Sequence, residues 1–402
     1  METGMDSHKL RQAIYAKAME LKQEIIALRR EIHRNPELAL EEYETASLAA
    51  KTLRELDIEV TEGIGTTGVV GLLRGGREGR TAALRADMDA LPINEDNDHE
   101  YRSVKKNVMH ACGHDAHTAM LLGAAKILAG LRGSLAGNVK FIFQPSEESS
   151  LGGAPDMIKE GVLHNPDVAA VFGMHAAPHL EAGTIGYREG PFYAAAGGFR
   201  IEILGNGGHG AEPHHAVDPI LAAAELIQAL QSIASSKVDP LEPFVLTVCT
   251  IHGGQALNVI ADTLVLGGTV RAFSLELLHR AGGWIEKLAK SVTEAHGAGY
   301  RLTFTTGGGP LINDPELTAE SALALTYFLG NDRVKEVPRL LLGEDFAYYS
   351  HIVPSVFFSL GTALQGAANY PLHHPKFDLD ENALPVGAAV FAFLAVSYLS
   401  EG

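Results

Sequence analysis

Residues 109–117 concentrate side chains that can bind a metal ion. These nine residues read Met-His-Ala-Cys-Gly-His-Asp-Ala-His and include one thiol, three imidazoles and one carboxylate. Thiolate sulfur, neutral imidazole nitrogen and carboxylate oxygen are the ligands that proteins offer to zinc and similar ions. The segment therefore predicts a catalytic metal site.

Two other interpretations of this segment have to be weighed. A structural zinc site normally uses more than one thiol, and the only other cysteine, Cys249, lies far downstream. A thiol beside imidazoles could instead be the nucleophile of a Cys/His pair. The residue types alone favour the catalytic metal and leave both alternatives open.

Further polar groups follow apolar runs that read as β-strands. Asp87 follows the run 81–85, Glu147 and Glu148 follow the run 138–143, and His175 follows the run 168–174. In open α/β sheets, sites form beyond the carboxyl ends of the strands. These groups are therefore expected to face one crevice together with the 109–117 segment.

Helical patterns surround these strands. Apolar residues spaced as one helix face predict a long helix over residues 8–33, and further helices are predicted over 43–56 and from about His117 to 131. A glycine-rich segment, 205–210, follows a strand, but it lacks the lysine of a Walker loop and does not fit GxGxxG. We therefore exclude a nucleotide site there, and its glycines are expected to let His209 project.

The middle of the chain has the pattern of an inserted domain. Small residues at 194–198 and 307–310 predict its joints, and between them the elements run strand, helix, strand, strand, helix, strand. This β-α-β-β-α-β order predicts a ferredoxin-like unit. The sequence therefore predicts an α/β catalytic domain made of residues 1–194 and 310–402, with residues 195–309 inserted.

Composition restricts the partners and the compartment. A formal charge of −17 over 402 residues argues against a nucleic acid or an anionic membrane as partner. Two cysteines suit a reducing compartment and exclude a disulfide framework, and the first residues lack an apolar signal core. The uncharged stretch 383–399 approaches membrane-spanning length, but its Pro385 and Gly387 and its many alanines favour a buried terminal helix. A cytoplasmic location is expected.

Taken together, these segments resemble the M20 metallopeptidase family in its amidohydrolase branch. The matching segments run in the family's order along nearly the whole chain. They are residues 84–92, 109–117, 143–148, 173–175, 207–214, 258–260, 268–271, 344–346 and 372–373.

The resemblance implies a fold, a cofactor and a set of site residues. The fold is a zinc-peptidase-like α/β domain with a ferredoxin-like lid and dimerisation domain. The cofactor is a pair of divalent ions, whether Zn, Mn, Co or Ni. The implied metal ligands are Cys112, His114, Glu148, His175 and His373. Further implied roles are general base for Glu147, a carboxylate that orients a ligand histidine for Asp87, and substrate-gripping lid residues for His209, Asn258 and Arg271.

Departures from the family pattern refine this assignment. Arg85 stands where many M20 peptidases have a ligand histidine. Cys112 and His114 replace this missing ligand, as in the amidohydrolase branch. Ser146 replaces a usual alanine and Ala261 a usual proline, and both changes are small. His374 replaces a usual serine, which leaves open which of two adjacent histidines binds metal.

The implied activity is hydrolysis of the amide bond of N-acyl amino acids by a homodimer or a dimer-based oligomer. A metallo-carboxypeptidase or an N-acetyldiaminopimelate deacetylase with the same centre is the alternative within enzymes. A metal-bound but inactive binding protein would have lost Glu147 or a ligand, whereas every expected position is filled.

Overall fold

The computed structural model describes residues 7–149 and 152–400. Its helices are α1 Ser7–Glu20, α2 Lys22–Arg34, α3 Tyr43–Glu55, α4 His114–Gly130, α5 Ala154–Lys159, α6 Pro219–Ser236, α7 Leu275–Ala295, α8 Pro315–Leu329, α9 Ala347–Ser350 and α10 Ala383–Ser400. Its strands are β1 Glu59–Ile64, β2 Gly68–Arg74, β3 Arg77–Asp87, β4 Ala136–Gln144, β5 Ala170–Glu181, β6 Ile185–Tyr187, β7 Gly190–Tyr193, β8 Ala195–Leu204, β9 Gly208–His209, β10 Phe244–Gly253, β11 Val259–Ile260, β12 Thr263–Ala272, β13 Gly299–Thr306, β14 Leu311–Asn313, β15 Val334–Glu336 and β16 Ser355–Ala363.

The chain divides into two units. The first comprises the residues up to Gly190 together with Ile312–Pro338 and the residues from Tyr348 onward. The second comprises Pro191–Leu311 and Arg339–Ala347. The short stretch 339–347 therefore belongs with the inserted segment, although it follows that segment by almost thirty residues.

The first unit is built on a mixed sheet in the order β1-β2-β4-β3-β5-β16-β6-β15. Its central strands β4, β3, β5 and β16 run parallel. Parallel strands are covered on both faces, and residues 81–87 and 170–178 are accordingly buried without interruption. The carboxyl ends of these strands consequently meet at one edge.

The second unit contains a four-stranded antiparallel sheet in the order β10-β12-β8-β13. Apolar residues of this sheet form one core with α6 and α7, including Ile201, Leu226 and Ile285. The sequential order β8, α6, β10, β12, α7, β13 confirms the predicted β-α-β-β-α-β unit, to which the small antiparallel sheet of β9 and β11 is added.

Helices α1, α2 and α4 differ from the predicted helices in their bounds. The helix expected over 8–33 is two helices, although the hydrogen bond from Leu21 N to Lys17 O continues across their junction. The helix expected from His117 begins three residues earlier, at His114, directly after Gly113, whose φ of +87° is unfavourable for other residues. His114 and His117 therefore share one face of α4 rather than preceding it.

The terminal helix α10 is long and apolar enough to cross a membrane, but 83% of it is buried inside the protein. It packs against α4, α1 and β3. Side chains such as Phe391 and Leu384 belong to the same core as the central strands. Burial on all sides, rather than a lipid surface, explains why no polar stripe interrupts this helix.

Candidate metal centre

The predicted ligands lie on or shortly after two parallel strands of the first unit's sheet, at the start of α4 and in a loop. Glu148 lies four residues beyond the end of β4, and His175 lies within β5. His114 opens α4, and Cys112 lies two residues before it. His373 lies in the loop before α10, and its backbone N–H donates to the carbonyl of Ala111 at 2.8 Å.

Two overlapping groups of these side chains have the spacing of metal sites. Cys112, His114 and His175 place ligand atoms within 4.8 Å of one another, and so do Cys112, Glu148 and His373. Cys112 Sγ lies 3.4 Å from His175 Nε2, and His373 Nε2 lies 2.9 Å from a Glu148 oxygen. The structure thus brings all five residues together, with Cys112 common to both groups.

The hydrogen bonds of the histidines suit metal binding. His175 donates from Nδ1 to the carbonyl of Ala176 at 2.8 Å, which leaves the lone pair on Nε2, the atom facing Cys112. Burial, followed by the neighbouring His117, lowers the pKa of His175 to about 3, so its ring is neutral at pH 7. His114 Nδ1 is 3.2 Å from Asp89, while its Nε2 is buried without a hydrogen bond among the described residues. A buried polar nitrogen of this kind is costly unless a ligand satisfies it, so the residues fit a divalent ion.

The thiol of Cys112 points to the same conclusion. Burial and the charge of Glu148 raise the pKa of this thiol well above its usual range. A buried thiol near carboxylates would therefore stay protonated, whereas coordination to a cation deprotonates a thiol outright. The donor set of sulfur, imidazole and carboxylate is the one that zinc and its first-row neighbours accept.

Asp89 holds the loop that carries the two glutamates. Its carboxylate accepts the backbone N–H of Glu147 at 3.0 Å and that of Glu148 at 2.9 Å, in addition to its contact with His114. The turn that presents these two N–H groups passes through Ser146, whose φ is +58°. One buried carboxylate therefore fixes both a predicted ligand and the predicted base.

Asp87 lies beside Arg85 and two histidines of α4, His114 and His117. Asp87 is predicted to orient a ligand histidine, and its oxygens receive His117 Nδ1 at 2.6 Å and Arg85 Nη1 at 2.7 Å. The predicted ligand His114 lies between two carboxylates: its Nε2 is 3.8 Å from Asp87 Oδ2, and its Nδ1 is 3.2 Å from Asp89 Oδ1. Burial would raise the pKa of Asp87, but the charges of His114 and Arg85 and the hydrogen bond from His117 lower it well below its usual range.

The two adjacent histidines have different neighbours. The side chain of His373 contacts Glu148, as described above. The ring of His374 stacks on Tyr370, with centroids 4.5 Å apart, and its Nδ1 accepts the N–H of Lys376. This difference favours His373 as the ligand.

In the second unit, the two-stranded sheet of β9 and β11 brings two predicted substrate residues together. His209 pairs with Val259, and the N–H of Gly210 donates to the carbonyl of Asn258 at 2.8 Å. His209 Nδ1 accepts the N–H of Ala211 at 3.1 Å, so the neutral ring carries its proton on Nε2. The exposed His209 therefore presents a hydrogen-bond donor.

Arg271 lies on β12 of the same unit, between Val245 and Ala196 on the neighbouring strands. Its Nη1 donates to Thr269 Oγ1 and to the carbonyl of Val270. Burial lowers the pKa of this half-buried guanidinium, although an arginine stays protonated at any physiological pH. A cation held in this way can still receive an anionic group through its remaining N–H donors.

Sequence reasoning assigned no role to Asp89 or His117. Both have a signal in the sequence that could have been used. Asp89 follows Asp87 at an interval of two, beyond the same strand end, and His117 follows His114 at an interval of three. The second interval puts two side chains on one helix face only if the helix begins at His114, which the prediction missed.

Comparison with known proteins gives concordant matches. The sequence model of "Peptidase family M20/M25/M40" matches residues 83–397. The chain is 40% identical over 383 residues to "Thermostable carboxypeptidase 2" of Saccharolobus solfataricus, covering 94% of this chain and 96% of that protein. It is 45% identical over 297 residues to the "N-acyl-L-amino acid amidohydrolase" of Geobacillus stearothermophilus, covering 74% of this chain and 80% of that one.

A solved structure matches as well. The crystal structure of a Bacillus subtilis protein described as a dinuclear metal-binding peptidase of the M20 family superposes with a TM-score of 0.81 at 35% identity. The match covers 95% of this chain and 99% of that one. At this identity and coverage the likeness extends to sequence as well as to fold.

Proposed function

The chain belongs to peptidase family M20/M25/M40, and on that premise we propose that it is a metal-dependent amidohydrolase acting on N-acyl amino acids. The observation that carries the proposal is the convergence of Cys112, His114, Glu148, His175 and His373, with Glu147 beside them. An N-acyl-L-amino acid amidohydrolase among the relatives supports this substrate class.

The five converging residues would hold two divalent ions. Ions bound there would supply Lewis acidity, which lowers the pKa of water and stabilises negative charge on the amide oxygen. Zn, Mn, Co and Ni all accept this donor set. Zn binds more tightly than Mn or Co in the usual order of affinities, so the tightest ion need not give the highest rate.

Glu147 is proposed as the general base. One of its oxygens lies within 4.8 Å of ligand atoms of His114 and Glu148, while its backbone is held by Asp89. A carboxylate that is not itself a ligand can take a proton from the attacking water and pass it to the departing nitrogen. Adjacent glutamates with separate duties meet this need.

Residues of the second unit are proposed to bind the substrate. Arg271 would hold the α-carboxylate of the amino acid through paired hydrogen bonds. His209, whose Nε2 is a donor, would stabilise the oxyanion, and Asn258 beside it would bind the substrate. These three roles come from the family resemblance and from the local hydrogen bonds of each residue.

A homodimer or a dimer-based oligomer is proposed for the assembly, again from the resemblance. Light scattering on the purified protein would test this, and a monomer at micromolar concentration would contradict it. We propose the cytoplasm as the location, because a metal-binding thiol such as that of Cys112 must stay reduced.

A metallo-carboxypeptidase is the second candidate, because one relative is named as a carboxypeptidase. A panel of N-acetyl, N-benzoyl and indole-acyl amino acids and of dipeptides, assayed with added Mn, Co or Zn, separates the two activities. The proposal predicts kcat/KM values for N-acyl amino acids well above those for dipeptides. The reverse order would make the protein a peptidase.

A further inference from the structure

His117, to which the proposed function gives no role, has a hydrogen-bond partner at each ring nitrogen. His117 is fully buried in the first turn of α4. Its Nδ1 is 2.6 Å from Asp87 Oδ1, and its Nε2 is 2.9 Å from the backbone nitrogen of Ala176. Both ring nitrogens are therefore engaged within the protein.

These contacts determine the tautomer of His117. A backbone N–H can only donate, so Nε2 must be the acceptor and must lack a proton. The proton of the neutral ring is then on Nδ1, where it is donated to Asp87. With neither lone pair available, His117 cannot be a metal ligand, even though Asp87, His114 and His117 lie close enough together to resemble a metal site.

The hydrogen bond between His117 and Ala176 lies beyond the point where β3 ceases to pair with β5. Strand β3 pairs with β5 only from Ala82–Ala170 to Arg85–Gly173, while β16 continues along the other side of β5 beyond His175. Beyond Gly173, no β3 residue pairs with β5 in the described ladder. His117 Nε2 supplies the acceptor for the N–H of Ala176 that a neighbouring strand would otherwise provide.

The same stretch of backbone sets the direction of His175. His175 Nδ1 donates to the carbonyl of Ala176, so the ring is oriented by the residue whose N–H His117 holds. The two rings also touch edge to face, with centroids 4.7 Å apart. A displacement of the backbone at Ala176 would therefore turn Nε2 of His175 away from Cys112.

Behind His117 lies a chain of buried hydrogen bonds. Asp87 Oδ2 accepts from Arg85 Nη1 at 2.7 Å, and Arg85 Nε donates to Gln144 Oε1 at 2.9 Å. All these side chains are at most 1% exposed. Arg85, which replaces a ligand histidine of other M20 peptidases, thus holds the carboxylate that fixes the tautomer of His117.

We propose that His117 is a positioning residue that aims His175 at the metal through the backbone of Ala176, with Asp87 and Arg85 fixing its tautomer. The inference rests on the proposed metal centre. The two nitrogens of the ring have different tasks. Nε2 holds the backbone that orients His175, whereas Nδ1 only keeps the proton on the side of Asp87.

Two substitutions separate these ends. In His117→Gln, the side-chain oxygen can reach the place of Nε2 and accept the N–H of Ala176. In His117→Asn, the amide reaches the place of Nδ1, keeps the bond to Asp87 and leaves Ala176 without its acceptor. Groups that orient metal ligands typically change metal affinity by about 10- to 100-fold. The Asn variant should therefore lose affinity for one of two bound ions by about that factor, whereas the Gln variant should stay close to wild type.

Thr118→Val is the matched control. Thr118 lies next to His117 in α4, is fully buried and donates to the backbone carbonyl of Asp87 at 2.8 Å. Removing the hydroxyl of Thr118 breaks a buried hydrogen bond to Asp87 but leaves the hydrogen bond to Ala176 in place. The control should lower thermal stability and leave metal affinity unchanged.

The readout is the dissociation constant of each ion, measured on metal-free protein by competition with a chromophoric chelator. The visible spectrum of bound Co²⁺ and thermal unfolding by circular dichroism accompany it. Equal affinities in the Asn and Gln variants, or an equal loss in Thr118→Val, would overturn the proposal. A wild-type protein that binds no metal would instead overturn the proposed function.

A measurement on the wild type keeps the test decisive if the Asn variant does not fold. Nitrogen NMR of the imidazoles should show His117 protonated on Nδ1 and unprotonated on Nε2 at neutral pH. A proton on Nε2 would contradict the inference, because Ala176 could then not donate to it.

Discussion

At the scale of single residues, the adjacent Glu147 and Glu148 show how two identical side chains can have different roles because their surroundings differ. Glu148 contacts His373 and belongs to a ligand group with Cys112, while Glu147 lies beside that group. Both backbones are fixed by Asp89. The sequence could identify the pair, but the division of roles came from the family resemblance.

Glu147→Gln should retain both ions and lose most of its turnover, because an amide cannot accept the proton of water. Loss of a general base typically lowers kcat by about 10²–10⁴-fold. Glu148→Gln should instead lower metal occupancy. Steady-state kinetics together with elemental analysis of each variant would test this, and reversed phenotypes would exchange the two roles.

Arg271→Ala should impair substrates with a free α-carboxylate more than their amides or esters. A charge-assisted pair at a half-buried site contributes about 2–4 kcal/mol to binding. The comparison requires kcat/KM for an N-acyl amino acid and for its methyl ester in both proteins. Equal losses on the two substrates would assign Arg271 a structural role on β12.

At the scale of elements, helix α2 is joined to α4 through a buried charge. Arg29 donates to Asp115 at 2.7 Å and to Asp378 at 3.0 Å, and its side chain is fully buried. Asp115 is the immediate neighbour of His114 on α4. The periodicity of α2 predicted its apolar face, but no pattern indicated that an arginine would lie on the buried side.

Replacing Arg29 with Met should therefore destabilise the first unit. Removing one partner of a buried ion pair costs about 3–5 kcal/mol, because it leaves an uncompensated buried charge. Arg30→Met, on the same helix, is the control: its side chain is 43% exposed and pairs with Glu381, so the cost should stay below about 1 kcal/mol. Urea unfolding of the metal-free proteins measures both, and similar losses would contradict the account.

The beginnings of elements were harder to predict than the elements themselves. Strands β3, β4 and β5 follow from their apolar runs, and so does the expectation that their ends share an edge. The start of α4 did not follow, because Gly113 takes a left-handed conformation that a sequence of His, Cys and Gly does not reveal. Missing that start concealed the relation between His114 and His117.

At the scale of the whole molecule, composition and element order were sufficient for the α/β class and the ferredoxin-like unit. They could not indicate that residues 339–347 belong with the second unit, because that association depends on contacts distant in sequence. The burial of α10 was predicted from its proline, glycine and alanine content, and the structure confirms it. Hydropathy alone would have suggested a membrane span.

The central claim is that amide hydrolysis depends on ions held by Cys112, His114, Glu148, His175 and His373. The most direct test is to remove the metal with a chelator, to confirm the loss by elemental analysis, and to assay an N-acyl amino acid before and after a divalent ion is added back. We expect hydrolysis to be abolished and then restored as about two ions per chain return, in keeping with two-ion sites. Full activity in protein with a metal content near zero would contradict the account.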